Sequence, residues 1–242
     1  MPTPLRWLLS LVFITQMYLA MAILAVGFAI PALVSRRMAF AAVHLYCNWV
    51  RATARILIGL RSEIRGPVPQ TEVIIAAKHQ SFFDIILLCS VLPRPKFIMK
   101  SELIWAPFLG QYALRIGCVP VDRGKRGVAI AQMKEAVRKG TAQPGQLVIY
   151  PQGTRVAPGV AMPYKMGTGL LYDQLGQTCV PAATNVGVFW PRHGILRKPG
   201  LAVIEFLPAI APGLPVPDFM KRIETEIETA SMRLMHDAGW RA

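Results

Sequence analysis

A histidine and an aspartate five positions apart, His79 and Asp84, stand in the run Lys78-His79-Gln80-Ser81-Phe82-Phe83-Asp84. A carboxylate so placed can hold one ring nitrogen and fix the tautomer, while the other nitrogen takes a proton from an attacking hydroxyl. A plainer reading stands beside it: Ser81 and Asp84 also fit the capping box S-x-x-D, in which Asp84 only closes a helix start. A second run, Tyr150-Pro151-Gln152-Gly153-Thr154-Arg155, offers a glycine that lets backbone approach a ligand. Its arginine can grip a phosphate through two parallel hydrogen bonds. Taken alone, that run is also an ordinary Pro-Gly turn with a solvated arginine. Gly117–Arg123 (GCVPVDR) ends in a further arginine, and Lys100 closes the short run Lys96–Lys100.

These groups need elements to bring them together. Val73–Lys78 (VIIAAK), Lys96–Lys100, Cys118–Val121 and Gln146–Tyr150 are short, β-rich apolar runs, each followed by one of the candidate groups. Val180–Val188 and Leu201–Leu207 read as two further strands. Between them lie helical stretches at Phe82–Leu92, Ile104–Ile116, Gly127–Lys139, Gly167–Leu175 and Asp218–His236. Strands alternating with helices predict an α/β domain with a mainly parallel central sheet and flanking helices. In such sheets ligands gather beyond the carboxyl ends of the strands, which is where every candidate group falls.

The blocks HQSFFD, GCVPVDR, PQGTR and Val180-Pro181-Ala182, in this order and spacing, resemble the glycerolipid acyltransferase family, and within it the bacterial 1-acylglycerol-3-phosphate acyltransferases. The resemblance covers roughly residues 60–210. It implies transfer of a fatty acyl group from acyl-CoA or acyl-carrier protein to a lysophospholipid hydroxyl, giving phosphatidic acid, with no metal and no organic cofactor. It assigns His79 as general base and Asp84 as its partner. Arg123, Gly153, Thr154 and Arg155 would hold the glycerol phosphate, assisted by Lys100, with Val180 and Pro181 on the acyl-donor side. One position departs from the family pattern: Gln152 stands where the third block usually carries glutamate. An amide keeps hydrogen-bonding capacity but loses charge, so Gln152 is a candidate for tuning the acceptor, and another lysolipid such as a lyso-aminolipid is an alternative.

Composition, both apolar and basic, points first to an anionic membrane surface. The 242 residues carry a formal charge of +14, with 53% hydrophobic and only 17% charged residues, which excludes a disordered chain. Trp7–Ser35 runs for 29 residues without a charge, longer than the core of a cleaved signal peptide and long enough to span a bilayer. Met38–Leu60 mixes apolar residues with Arg51 and Arg55, and with Arg61 beyond it suits an interfacial helix whose arginines sit at headgroup level. A spanning helix plus a surface helix, or a hairpin dipping into one leaflet, fits equally. The expected organisation is an N-terminal membrane helix pair over 1–62 and an acyltransferase domain over 63–242. The expected location is the cytoplasmic membrane, with the catalytic domain facing the cytoplasm and Arg36 and Arg37 drawn to an anionic surface.

Other classes fare worse. No zinc-finger spacing, RNA-recognition aromatic motif or basic tail points to nucleic acid. A thioester hydrolase would lack a serine elbow, because no G-x-S-x-G occurs. A membrane-anchored anion-binding scaffold, with a merely structural His79–Asp84 pair, is the non-enzymatic alternative. The four cysteines are widely separated and read as reduced, buried thiols.

Overall fold

The structure, a computed structural model, describes residues 3–121 and 144–241. Its N-terminal part is helical: α1 (Thr3–Gly27), α2 (Ala29–Val34) and α3 (Arg36–Ile58). The uncharged stretch is therefore not one helix. Pro31 has no N–H to donate back to Gly27, so α1 stops and α2 starts a new turn. Gly59, at φ 67°, closes α3 in the left-handed conformation that a glycine adopts without strain.

Helices α1 and α3 lie antiparallel, as their contacts show: Gln16 Nε2 donates to Thr53 Oγ1 at 3.0 Å, and Trp49 Nε1 donates to Gln16 Oε1 at 2.8 Å. On α1 only Ser10, Phe13, Met17 and Ala25 are buried, a narrow stripe against the rest of the protein. The other faces stay apolar and exposed, and α2 at the hairpin's tip presents Ile30, Leu33 and Val34 almost fully. By length and composition α1 is sufficient to cross a membrane.

A sheet of seven strands follows, in the order β1-β7-β6-β2-β5-β3-β4: β1 (Leu60–Arg65), β2 (Val73–Ala77), β3 (Pro95–Lys100), β4 (Val119–Val121), β5 (Gln146–Ile149), β6 (Cys179–Thr184) and β7 (Gly200–Phe206). Every pairing is parallel except β6 with β7. All five β2 residues are buried, as expected for a central strand covered on both faces. Alternation across the pleat sends Val73, Ile75 and Ala77 to one face, under α1, α3 and α4 (Phe83–Val91). Ile74 and Ala76 face the other side, under α6 (Gly167–Leu175) and α7 (Val216–Asp237).

Three expectations change. The helix expected over Ile104–Ile116 is split into a 3-10 turn at Ser101–Trp105 and α5 (Leu109–Ile116), because Pro107 forces Ala106 into extended backbone. The strand expected over Val180–Val188 ends at Thr184: Asn185 turns its amide onto Leu201 O and Leu234 O and takes the Val203 N–H, and a 3-10 turn follows. Arg51 does not share the exposure of Arg55 on the same helix. It reaches into the α/β part, where Nε donates to Ser62 Oγ at 2.9 Å and Nη1 to Ser90 Oγ at 3.0 Å. Arg55 and Arg61 remain exposed. The helix expected over Gly127–Lys139 lies outside the described residues.

Candidate active site

Parallel neighbours end on the same edge, and this is what assembles the site. His79 follows the carboxyl end of β2, and the Tyr150–Arg155 run follows the carboxyl end of β5, its parallel partner. A backbone bond closes the gap between them, from the Val156 N–H to the His79 carbonyl at 2.8 Å.

Asp84 performs both of the tasks read from the sequence, one with each oxygen. Its Oδ2 accepts the backbone N–H groups of Gln80 at 2.9 Å and Ser81 at 2.8 Å, while Ser81 Oγ accepts the Phe83 N–H. That is the capping reading. Its Oδ1 lies 2.9 Å from His79 Nδ1. An ionised carboxylate only accepts, so Nδ1 carries the proton and Nε2 is left as the basic nitrogen. Asp84 is fully buried, so water does not compete for these bonds.

Tyr150 completes the arrangement. Its ring stacks on the imidazole with centroids 3.8 Å apart and planes 14° from parallel, and its hydroxyl donates to Asp84 Oδ1 at 3.2 Å. Burial, together with the Asp84 charge, holds the Tyr150 phenol well above its ordinary titration range, so it stays a donor. The imidazole is thus fixed in its plane by the stack and in rotation by the carboxylate.

The ring opens into a cavity of about 470 Å³. Most of its wall is apolar and comes from both parts of the chain: Met21 and Leu24 of α1, Val43 of α3, Ile86 of α4, Met99 of β3 and Tyr112 of α5. His79, Thr154, Arg155, Lys100 and Arg192 supply polar groups to the same cavity. Such a space accepts a hydrocarbon chain, with a base and cations at its polar end.

The expected site residues separate into groups. His79, Asp84, Thr154 and Arg155 are brought together, with Gly153 beside them at φ 70°, its missing Cβ leaving room for the Lys165 ammonium. Lys100 reaches the cavity but is held by Glu102 at 2.6 Å. Gln152 is buried and is not among the cavity's lining residues; its Nε2 donates to the Met162 carbonyl at 3.1 Å, while its Oε1 is buried without a hydrogen-bond partner among the described residues. Val180 and Pro181 lie inside β6, registered with Ile75 and Ala76, and are not among the cavity's lining residues. Arg123 lies outside the described residues. Of the aromatic residues in this region, Phe82 and Phe108 line the cavity, Phe83 is core and Trp105 is 84% exposed.

Two contributors were not picked out from the sequence. Tyr150 closes an apolar strand, and only the stack reveals what its ring does. Arg192 sits in Trp190-Pro191-Arg192, a run with no spacing that signals chemistry. In the turn after β2 the N–H groups of Gln80, Ser81 and Phe83 are already engaged and are not donors for an oxyanion.

Fold and site together define an α/β protein with a buried carboxylate–histidine pair on the carboxyl edge of its sheet and an apolar cavity leading to it. The acyltransferase family model matches residues 60–185, and the chain belongs to that family. Among curated proteins it is 28% identical over 174 residues to the 1-acyl-sn-glycerol-3-phosphate acyltransferase of Pseudomonas aeruginosa, covering 69% of this chain and 66% of that one. To the 1-acyl-sn-glycerol-3-phosphate acyltransferase alpha of Mus musculus it is 26% identical over 190 residues, covering 76% and 67%. The chain thus spans about two thirds of the length of these relatives. The crystal structure of the 1-acyl-sn-glycerophosphate acyltransferase PlsC from Thermotoga maritima shares the fold, with a TM-score of 0.79 over 97% of this chain and 99% of that one at 17% identity.

Proposed function

We propose that the protein is a membrane-bound O-acyltransferase that moves a fatty acyl group from acyl-CoA or acyl-carrier protein to the free hydroxyl of lysophosphatidic acid, producing phosphatidic acid. The observation that carries this reading is the His79–Asp84 pair facing an apolar cavity with Thr154 and Arg155 at the same end. An aliphatic hydroxyl is a weak nucleophile and must lose its proton as it attacks a thioester carbonyl. His79 Nε2 takes that proton, and Asp84 stabilises the imidazolium that results. As the tetrahedral intermediate collapses, the carbon–sulfur bond breaks and the proton passes from His79 to the departing thiolate. Arg155 binds the acceptor phosphate; Thr154 and Gly153 shape the turn that presents it, and Arg123 and Lys100 add positive charge.

Gln152 is not among the cavity's lining residues, and lysophosphatidate is the acceptor of this reading, with a lyso-aminolipid the alternative that Gln152→Glu tests through a shift in acceptor preference. Both lipids live in a bilayer, and the α1–α3 hairpin supplies part of the cavity wall, so chain entry and membrane contact belong to one surface. The helices up to Ile58 serve as the membrane part and the sheet that starts with β1 at Leu60 as the acyltransferase domain, which moves the expected boundary at 62 to the start of that strand; the domain lies on the cytoplasmic face of the inner membrane, where acyl-CoA and acyl-carrier protein are found.

The test is to incubate purified protein with acyl-CoA and lysophosphatidate and to follow free CoA and lipid product together. Diacyl product should appear in equal amount with CoA and vanish in His79→Ala, with the fold retained. CoA release without diacyl product identifies a hydrolase. Neither product, or full turnover by His79→Ala, removes the assignment.

A further inference from the structure

Three cationic side chains line the cavity among the described residues: Lys100, Arg155 and Arg192. Lys100 already has a carboxylate neighbour, Glu102 at 2.6 Å. Neither arginine has a carboxylate partner among the described residues. Arg192 Nη1 donates to the Arg155 carbonyl at 3.2 Å, so the second guanidinium rests against the backbone of the first. Two guanidinia that line one cavity without a carboxylate partner there favour an anion between them.

Arg192 is exposed, yet its backbone is firmly placed. Trp190, two residues earlier, is 3% exposed. Its ring stacks on Phe83 at 5.1 Å and meets the edge of Phe13 at 5.4 Å, while the Arg197 guanidinium lies 4.5 Å from its centre on a cation–π contact. The Gly187 N–H donates to Gln80 Oε1 at 3.0 Å, which ties the same loop to the residue after His79. The loop leaves the carboxyl end of β6, the parallel neighbour of β2 on the side away from β5. The runs that carry Arg155 and Arg192 therefore leave strands on opposite sides of β2, and the two meet at the Arg155 carbonyl.

We propose that Arg192 is the second arm of a two-arginine clamp on the phosphate monoester of the acceptor lipid. The inference rests on the reading above that the acceptor carries such a phosphate. A monoester carries about −1.5 to −2 charges near neutral pH, which matches two guanidinia. Coenzyme A carries phosphates of comparable charge, so the acceptor and the donor are told apart by the kinetics that follow.

Arg192→Ala and Arg192→Lys are assayed by steady-state kinetics with lysophosphatidate and with monoacylglycerol, the same acceptor without phosphate, and the acyl-CoA dependence is measured separately. Loss of one charge-assisted arm should raise the lysophosphatidate KM by about tenfold in Arg192→Ala. Lysine should restore part of that loss, because it keeps the charge but not the fork. The monoacylglycerol KM, the acyl-CoA KM and the melting temperature should not move. An unchanged lysophosphatidate KM overturns the proposal, as does a rise confined to acyl-CoA or an equal rise with monoacylglycerol. Wild-type protein that fails to acylate lysophosphatidate sinks the functional reading and this inference together; an active wild type with an indifferent Arg192→Ala sinks this inference alone.

Discussion

Replacing Asp84 by asparagine changes one atom and should nearly abolish turnover. In the native protein Oδ1 accepts from His79 Nδ1 and from the Tyr150 hydroxyl, and Oδ2 accepts two backbone N–H groups, so all four bonds need an acceptor. An amide offers one oxygen and one NH2 group. If the oxygen stays with the backbone pair, the NH2 faces His79. The ring then accepts at Nδ1 and carries its proton on Nε2, where it cannot act as a base. If the oxygen faces His79, the NH2 opposes the Gln80 and Ser81 N–H groups and the helix start is damaged. The first arrangement strands only the Tyr150 hydroxyl among the donors and should dominate. Removing the general base costs about 10²–10⁴ in kcat, and losing hydrogen bonds to a buried charge costs about 1.5–3 kcal/mol of stability. CoA release measured at saturating substrates, with a thermal melt on the same sample, separates the two effects. A kcat within about tenfold of wild type, well short of that loss, in a folded Asp84→Asn protein would refute the proposal that this carboxylate sets the imidazole tautomer.

Other expectations follow from burial. Lys78 is 3% exposed and pairs with both oxygens of Glu228, whose side chain is 38% exposed. Glu228→Leu strands a buried ammonium and should cost about 3–5 kcal/mol; Lys78→Met leaves a carboxylate that water can reach and should cost less, and the double variant should recover most of the loss in denaturant titrations. Gln152→Glu sets a carboxylate against the Met162 carbonyl in place of a donor, so the melting temperature should fall. Burial pushes the Cys118 and Cys179 thiols up to about 12 from an ordinary 9.0. The fold keeps these protons while the unfolded chain loses them, so their contribution is whole below pH 9 and is lost as pH climbs toward 12. Melting temperatures should decline over that range, and less steeply in Cys118→Ala or Cys179→Ala. Native protein at pH 7 should resist thiol reagents that modify all four cysteines once it is denatured.

Much of the sheet was legible because its strands are central. Runs such as VIIAA and QLVI are buried on both faces and therefore continuously apolar, and both were found within a residue of their observed ends. The edge strand β1, LRSEIR, was missed, since its solvent-facing half gives it the composition of a loop. The split of Trp7–Ser35 turned on Pro31, which a hydropathy reading passes over because proline does not interrupt an uncharged run. Within the site, His79, Asp84 and Arg155 were readable because residue type and spacing imply a reaction. Tyr150 and Arg192 were not, because a stacking ring and a loop arginine take their meaning from neighbours more than 30 positions away. Arg51 was misplaced for a similar reason: its partners, Ser62 and Ser90, belong to other elements.

The seating of β7 between β1 and β6 constrains how this protein can come into being. Leu60 of β1 is registered with Gly200, so the strand waits for about 140 residues of synthesis before its only neighbour exists. At about 5–20 residues per second that is roughly ten seconds or more during which the emerging polypeptide exposes an unpaired strand just behind its most apolar helices. The stretch matched by the family, 60–185, stops before β7 and so has no means of docking β1. A nascent chain in this state needs shelter, and a ribosome held at the bilayer would let the N-terminal hairpin insert while the sheet is still incomplete.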